Sequence, residues 1–232
     1  MTDADVSKGV QIFTLPELLQ YFQAQPKSRR LIVMAGPQGS GKSYLAKRLK
    51  RLRSDDCGYR LFKRLSADKL KKRSPWLTDA EAEREYMTAL KRSLENAHNI
   101  VDDNLNASDW VRKKVIDLAR SHGYEHISIV YIDLPLARCL SRNAARSRPT
   151  ADWIVRKVWE KFYRDGLPQA CEAEVIRIKP LDDRVSYELS VTEYKPTSTV
   201  APSVKSPKVG LSVAIFQRVL RFWRALTKGS NR

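Results

Sequence analysis

Cysteine is scarce in this 232-residue chain: Cys57, Cys139 and Cys171 lie far apart, and no C-x-x-C occurs. The three histidines, His98, His122 and His126, form no metal-ligand spacing with them. A disulfide scaffold and a structural zinc site are therefore not expected, and a reducing cytoplasm is the expected compartment. No run approaches the roughly 18 apolar residues that a transmembrane helix requires. The opening Met1-Thr2-Asp3-Ala4-Asp5 is polar and acidic, so no signal peptide is read there. Acidic residues are also in deficit: 26 Asp and Glu stand against 43 Lys and Arg, a net charge of +17. Such an excess favours a polyanionic partner, either nucleic acid or an anionic membrane surface.

What is present begins with Gly36-Pro37-Gln38-Gly39-Ser40-Gly41-Lys42-Ser43, a complete G-x-x-x-x-G-K-[ST]. Leu31-Ile32-Val33-Met34-Ala35 before it is a strand-type run, and Tyr44-Leu45-Ala46-Lys47-Arg48-Leu49 after it opens a helix. In that context the glycines let backbone N–H groups point at phosphate oxygens beside the positive end of a helix. Gly36, Gly39, Ser40, Gly41, Lys42 and Ser43 are thus the expected ATP-binding residues, with Lys42 on the β- and γ-phosphates and the Ser43 hydroxyl on Mg²⁺.

Strands and helices alternate along the chain. A helix with Thr14 as N-cap precedes the first strand. A second strand is read at Tyr59–Leu65, and a long helix from Thr78 to about His98. A brief strand at Asn99–Val101 precedes a helix over about 108–121 and the strand Ile127–Ile132. Two more helices, about 136–145 and 151–163, lead to a last strand near Val175–Ile178. This pattern predicts an α/β P-loop fold, a parallel sheet with helices on both faces, whose ligands gather at the carboxyl ends of the strands.

Four segments are expected: a helical segment over 1–30, the P-loop domain over 31–194, a Pro/Ser/Thr-rich linker over 195–208 and a basic amphipathic helix over 209–228. From Lys195 to Arg232 there are eight basic residues and no acidic ones, which leaves +9 for the rest. The terminal helix, rich in Phe, Trp and Arg, suits a membrane interface, a protein partner's groove, self-association or packing on its own domain.

Three clusters at the other strand ends address the acceptor. In Ser66-Ala67-Asp68-Lys69-Leu70-Lys71, Asp68 is placed either to take a proton from an acceptor hydroxyl or to cap a helix beginning at Lys69. In Asp102-Asp103-Asn104-Leu105-Asn106 a carboxylate either positions Mg²⁺ or its waters, or serves a turn. Arg138, Arg142 and Arg146 recur every fourth residue before Pro149, as either a lid that closes over ATP or a solvated basic face.

In this order the clusters resemble those of the polynucleotide 5′-hydroxyl kinases, in particular the kinase domain of the phage enzyme. Asp102-Asp103-Asn104-Leu105-Asn106 is similar to that family's D-T-N-L-N. Arg142-Asn143-Ala144-Ala145-Arg146 is similar to its R-N-x-x-R lid, followed by a helix that here carries Val155, Trp159 and Phe162. The resemblance covers about residues 31–170. It implies ATP and Mg²⁺ as cofactors, Asp68 as general base, Arg146 and Arg142 as lid arginines with Lys42, and Asp102 near the metal beside Ser43. It also implies that Lys71, where the family usually has Arg, contacts substrate phosphate; bidentate recognition is lost there. Asp103 stands where the family has Thr, and Tyr44 where Thr often follows the loop serine.

The expected function is transfer of the ATP γ-phosphate to a 5′-hydroxyl end of RNA or DNA. Two other readings remain open at this point. One is a P-loop kinase for another hydroxyl, on an aminoacyl-tRNA, nucleotide sugar or small metabolite. The other is a nucleotide-gated adaptor whose tail recruits a partner.

Overall fold

The computed structural model describes residues 11–24, 29–53, 58–181 and 186–196. The expected helix over 209–228 and most of the expected linker lie outside the described residues. Among the described residues no helix is long and apolar enough to cross a membrane.

Seven strands form one sheet in the order β1-β7-β6-β5-β2-β4-β3. Its centre is β2 (Arg30–Ala35), every residue of which is buried. A strand covered on both faces is apolar almost throughout, and this one reads Arg-Leu-Ile-Val-Met-Ala. It pairs in parallel with β4 (Ile100–Asp102) and with β5 (His126–Ile132). Beyond these, β3 (Lys63–Leu65) pairs in parallel with β4, and β6 (Glu174–Pro180) with β5.

Two strands missing from the sequence expectation complete the sheet. The strand β7 (Ser186–Thr192) returns antiparallel along β6, and β1 (Gln11–Thr14) pairs antiparallel with β7. The strand near 175–178 is therefore not the last of the sheet. The segment before β2 enters the core: Phe13 on β1 and Leu18, Tyr21 and Phe22 on α1 (Leu15–Gln23) are buried. Thr14 ends the strand and starts the helix, its N–H donating to the Glu17 carboxylate at 2.7 Å.

Strand parity divides the core in two. Ile32 and Met34 of β2 face α1 and α2 (Lys42–Leu49), which contributes Leu45, Ala46 and Leu49. Leu31, Val33 and Ala35 face the opposite layer. That layer contains Tyr86, Leu90 and Leu94 of α4 (Asp79–Glu95), Val115, Ile116 and Ala119 of α5 (Asp109–Ser121), and Phe162 of α7 (Asp152–Asp165). The α4 helix begins at a capping box, with the Thr78 N–H on Glu81 at 2.8 Å and the Glu81 N–H on the Thr78 hydroxyl at 3.3 Å.

Two short helices frame the carboxyl end of the sheet. The helix α3 (Ala67–Arg73) follows β3, and α6 (Leu136–Ala144) follows β5. Arg112 is fully buried and stitches this end together. Its guanidinium forks onto Glu172 at 2.8 Å and donates to the Asn106 and Gly166 carbonyls at 3.0 and 2.7 Å. The pairing with Glu172 keeps its buried charge compensated.

Candidate active site

The loop between β2 and α2 turns on glycines that no other residue replaces cheaply. Gly36, Gly39 and Gly41 have φ of +136°, +81° and +109°, where side chains are strained. Gly39 meets a second demand, because an added Cβ would lie 2.2 Å from the Cys139 carbonyl oxygen of α6. The base of the lid helix therefore rests directly on the phosphate loop.

Within that loop Lys42 folds back, its ammonium donating to the Gly36 and Pro37 carbonyls at 2.5 and 2.8 Å. Burial pushes its pKa down to about 8, against the opposing attraction of Asp103. Among the described residues the Ser40 hydroxyl and the Gln38 amide oxygen are buried without a hydrogen-bond partner. A cradle of left-handed glycines, a buried cation and an unpartnered hydroxyl is a fitting receptor for the oxygens of a polyphosphate.

The carboxylate on the loop's serine is Asp103. Ser43 Oγ donates to Asp103 Oδ1 at 3.0 Å, while Arg64 Nε donates to Asp103 Oδ2 at 2.7 Å. A hydroxyl oxygen beside a carboxylate is a hard donor pair that fits Mg²⁺. Asp102, expected beside the metal, occupies a different position. It is fully buried on the α4 side of the sheet, with Asn106 Nδ2 donating to it at 3.0 Å and Asn104 Nδ2 at 2.5 Å. Burial raises its pKa to about 6 despite hydrogen bonds from Tyr86, Asn106 and Asn104. Asp102 thus organises the turn, whereas Asp103 reaches Ser43.

Asp68 lies exposed in the first turn of α3, where Ser66, not Asp68, is the N-cap. It is close enough to act electrostatically on Lys42. The Ala67 N–H beside it donates to Asn104 Oδ1 at 2.9 Å, so the acidic turn after β4 sets where α3 begins. Lys71 is paired with Asp79 at the start of α4, which ties α3 to α4.

The three lid arginines have three different surroundings. Arg138 donates to the Leu181 carbonyl at 3.3 Å beyond β6. Arg142 reaches back to the loop, its Nη1 donating to the Ser40 carbonyl at 3.4 Å. Arg146 is exposed beyond the end of α6 and within electrostatic range of Lys42. Asn143 between them is fully buried and grips the far side of the lid turn. Its Nδ2 donates to the Thr150 carbonyl at 2.6 Å, and its Oδ1 accepts from the Thr150 N–H at 3.1 Å. Asp133, at the end of β5, is a further support, accepting from the Tyr163 hydroxyl at 2.6 Å and from Arg177 Nε at 2.9 Å.

Asp133 was absent from the sequence expectations, since it works through Tyr163 and Arg177, which are distant in sequence; Asn143 stood within the Arg142–Arg146 motif without an assigned role. Asp103 did carry a signal. In β4, Val101 belongs to the α2 side of the core and Ile100 to the other side. Alternation then puts Asp103 with Val101, towards Ser43.

The family model of the AAA domain matches residues 31–165. No curated protein matches the chain. Among solved structures it is similar to a gluconokinase from Sinorhizobium meliloti 1021, at 15% identity over 87% of this chain and 97% of that one, with a TM-score of 0.42. It is also similar to Chaetomium thermophilum Kti12 in complex with ADP-AlF3, at 20% identity over 66% and 90% of the two chains, TM-score 0.47. A third likeness is to the PezAT chromosomal toxin–antitoxin system of Streptococcus pneumoniae, at 16% identity over 91% and 93%, TM-score 0.48. The matched residues make up more than half of the chain, which therefore belongs to the AAA domain family, with a mostly parallel sheet flanked by helices and a phosphate loop that implies nucleotide binding.

Proposed function

We propose that the protein transfers the γ-phosphoryl group of ATP to the 5′-hydroxyl end of a polynucleotide. The observation that carries this reading is the placement of Asp68. Its carboxylate stands exposed in the first turn of α3, and the Ala67 N–H on Asn104 ties that turn to the segment after β4 whose Asp103 meets Ser43 of the phosphate loop. A proton acceptor and a phosphate-binding loop thus stand at the same ends of β2, β3 and β4, as phosphoryl transfer to a hydroxyl requires. The ordered motifs at Asp102–Asn106 and Arg142–Arg146 and the +9 charge of residues 1–194 favour a polynucleotide as the hydroxyl's carrier.

In this reading Lys42 exchanges the Gly36 and Pro37 carbonyls for phosphate oxygens. The acceptor oxygen forms its bond to γ-phosphorus as the bridge to the β-phosphate breaks, and ADP leaves with the bonding electrons. Asp68 takes the acceptor's proton. Arg142 and Arg146 neutralise charge on the equatorial oxygens, because guanidinium groups present fixed donors to phosphate. Ser43 and Asp103 would hold Mg²⁺, which supplies further charge neutralisation when bound.

Incubation with γ-labelled ATP, Mg²⁺ and matched 5′-OH RNA and DNA oligonucleotides tests the proposal. Label should appear on an oligonucleotide and fall by about 10²–10⁴ in Asp68→Asn, with ATP binding retained. ATP binding without label on any 5′-OH end would overturn the polynucleotide reading.

A further inference from the structure

The β3 edge of the sheet carries a cationic surface that the chemistry above does not use. Lys50 ends α2, Arg60 precedes β3, and Lys69 and Arg73 lie on α3. The backbone bridge between Arg53 and Arg60 and the Leu61 N–H on the Leu52 carbonyl at 3.0 Å hold the end of α2 against the approach to β3. Lys69 above all, then partial burial, then Arg60, Arg64 and Arg73 draw the Lys50 ammonium below the ordinary range. The end of α2, the approach to β3, β3 itself and α3 therefore bring their cations together at this edge. Among the described residues Lys50, Arg60, Lys69 and Arg73 form no ion pair.

This surface is continuous with the candidate active site at two points. Lys69 follows Asp68 in the chain, and Arg64 is bonded to Asp103, which holds Ser43. Two large aromatic residues adjoin its cations along the chain. Tyr59, beside Arg60, is 77% exposed, and Trp76, three residues after Arg73, is 78% exposed. Exposed rings interleaved with unpaired cations suit one class of polymer, whose backbone is anionic and whose bases present flat apolar faces. An acidic protein would satisfy the cations and leave the rings without a use.

We infer that the β3 edge is a track for single-stranded nucleic acid, along which Lys50, Arg60 and Arg73 bind successive phosphates and Tyr59 and Trp76 stack on bases. The inference rests on the polynucleotide reading and adds that the enzyme holds nucleotides beyond the one it phosphorylates. A long strand is thereby preferred over a short one. A duplex, whose bases are already stacked, gains nothing from the two rings.

The test uses the full chain and 3′-fluorescein-labelled 5′-OH oligonucleotides of 4 and 16 nucleotides, followed by anisotropy across a salt series and by phosphorylation kinetics. The wild-type protein should bind the 16-mer at least tenfold more tightly than the 4-mer. In the combined variant Lys50→Gln, Arg60→Gln, Arg73→Gln, 16-mer affinity should fall about tenfold or more. The slope of log K against log salt should shrink by about 2, as three lost contacts to a single strand require. Tyr59→Ala and Trp76→Ala should each weaken 16-mer binding about tenfold, with Tyr59→Phe and Trp76→Phe restoring it. ATP binding and melting temperature should stay at wild-type values, since all five side chains lie outside the phosphate loop and the core.

Phosphorylation of both oligonucleotides with the same KM, unaffected by these variants, would overturn the track and leave the 5′-kinase reading standing. Length-dependent binding that the variants abolish, without label transfer to any 5′ end, would support the track and overturn the kinase reading. Equal loss of binding to phosphatidylglycerol vesicles, with oligonucleotide binding intact, would overturn the track in favour of a lipid surface.

Discussion

Ser43 Oγ donates a hydrogen bond to Asp103 Oδ1 at 3.0 Å, so the second carboxylate of the Asp102-Asp103 pair meets the phosphate loop. The two aspartates point to opposite faces because β4 alternates. Asp102 turns towards α4 and is sealed there, whereas Asp103 turns towards α2. Asp103→Asn should therefore raise the Mg²⁺ concentration needed for half-maximal activity by about 10–100-fold. Asp102→Asn should change Mg²⁺ dependence little and show its effect in thermal stability. A Mg²⁺ titration of phosphoryl transfer with both variants decides the assignment, and the opposite order would reverse it.

Lys42 makes nucleotide affinity depend on pH. Its pKa in the free protein is pushed down to about 8 by burial, and bound phosphates favour its charged form. Below pH 8 the ammonium is already present. Above pH 8 binding must take up a proton, so the dissociation constant should rise about tenfold per pH unit until the bound-state pKa is passed. Calorimetry of ATP binding at pH 8.5–9 in buffers of different ionisation enthalpy should show close to one proton taken up. The depressed pKa acts on stability with a defined sign too: the unliganded protein should gain stability between pH 8 and 10.5, where the unfolded lysine still carries its proton. A pH-independent Kd from 7 to 9.5 would rule this account out.

Asn143 closes the lid turn through two hydrogen bonds to Thr150 from a fully buried position. Asn143→Ala leaves the Thr150 N–H and carbonyl without these partners, which costs about 1–3 kcal/mol locally. The expected result is faster tryptic cleavage after Arg146 and a several-fold higher KM for ATP. Unchanged cleavage would show that the turn holds without the clamp.

Gly39→Ala tests the seat of the lid helix on the loop. The new methyl group would meet the Cys139 carbonyl at a backbone φ of +81°. Strain and overlap together should cost about 1–3 kcal/mol and weaken ATP binding by tenfold or more. Thermal unfolding with and without ATP measures both. Gly58→Ala is a control, because its φ is also positive while its added Cβ would meet nothing within 4 Å.

The phosphate loop was legible in sequence because its demands are local: glycine at strained φ, one lysine, one serine, a strand before and a helix after. The parallel centre of the sheet was legible for the same reason, since β2 and β5 are short apolar runs bounded by turns. The antiparallel strands β1 and β7 were not. Gln11–Thr14 and Ser186–Thr192 have mixed polarity, and only the pairing of β7 with β6 and of β1 with β7 makes them strands. Lys71 shows another limit: a motif position placed it on substrate phosphate, and the structure pairs it with Asp79.

By itself, then, the sequence determined the nucleotide-binding chemistry, because adjacent residues set the loop's backbone path and its donors. It also determined the order of the strands' contents and the excess of positive charge. Only the tertiary structure decided which aspartate meets Ser43, that Asn143 locks the lid, and that Lys50, Arg60 and Arg73 share one surface. Each of those facts joins residues from separate elements. Parity, packing and the bridge that holds the end of α2 against the approach to β3 bring them together, and no local spacing records that arrangement.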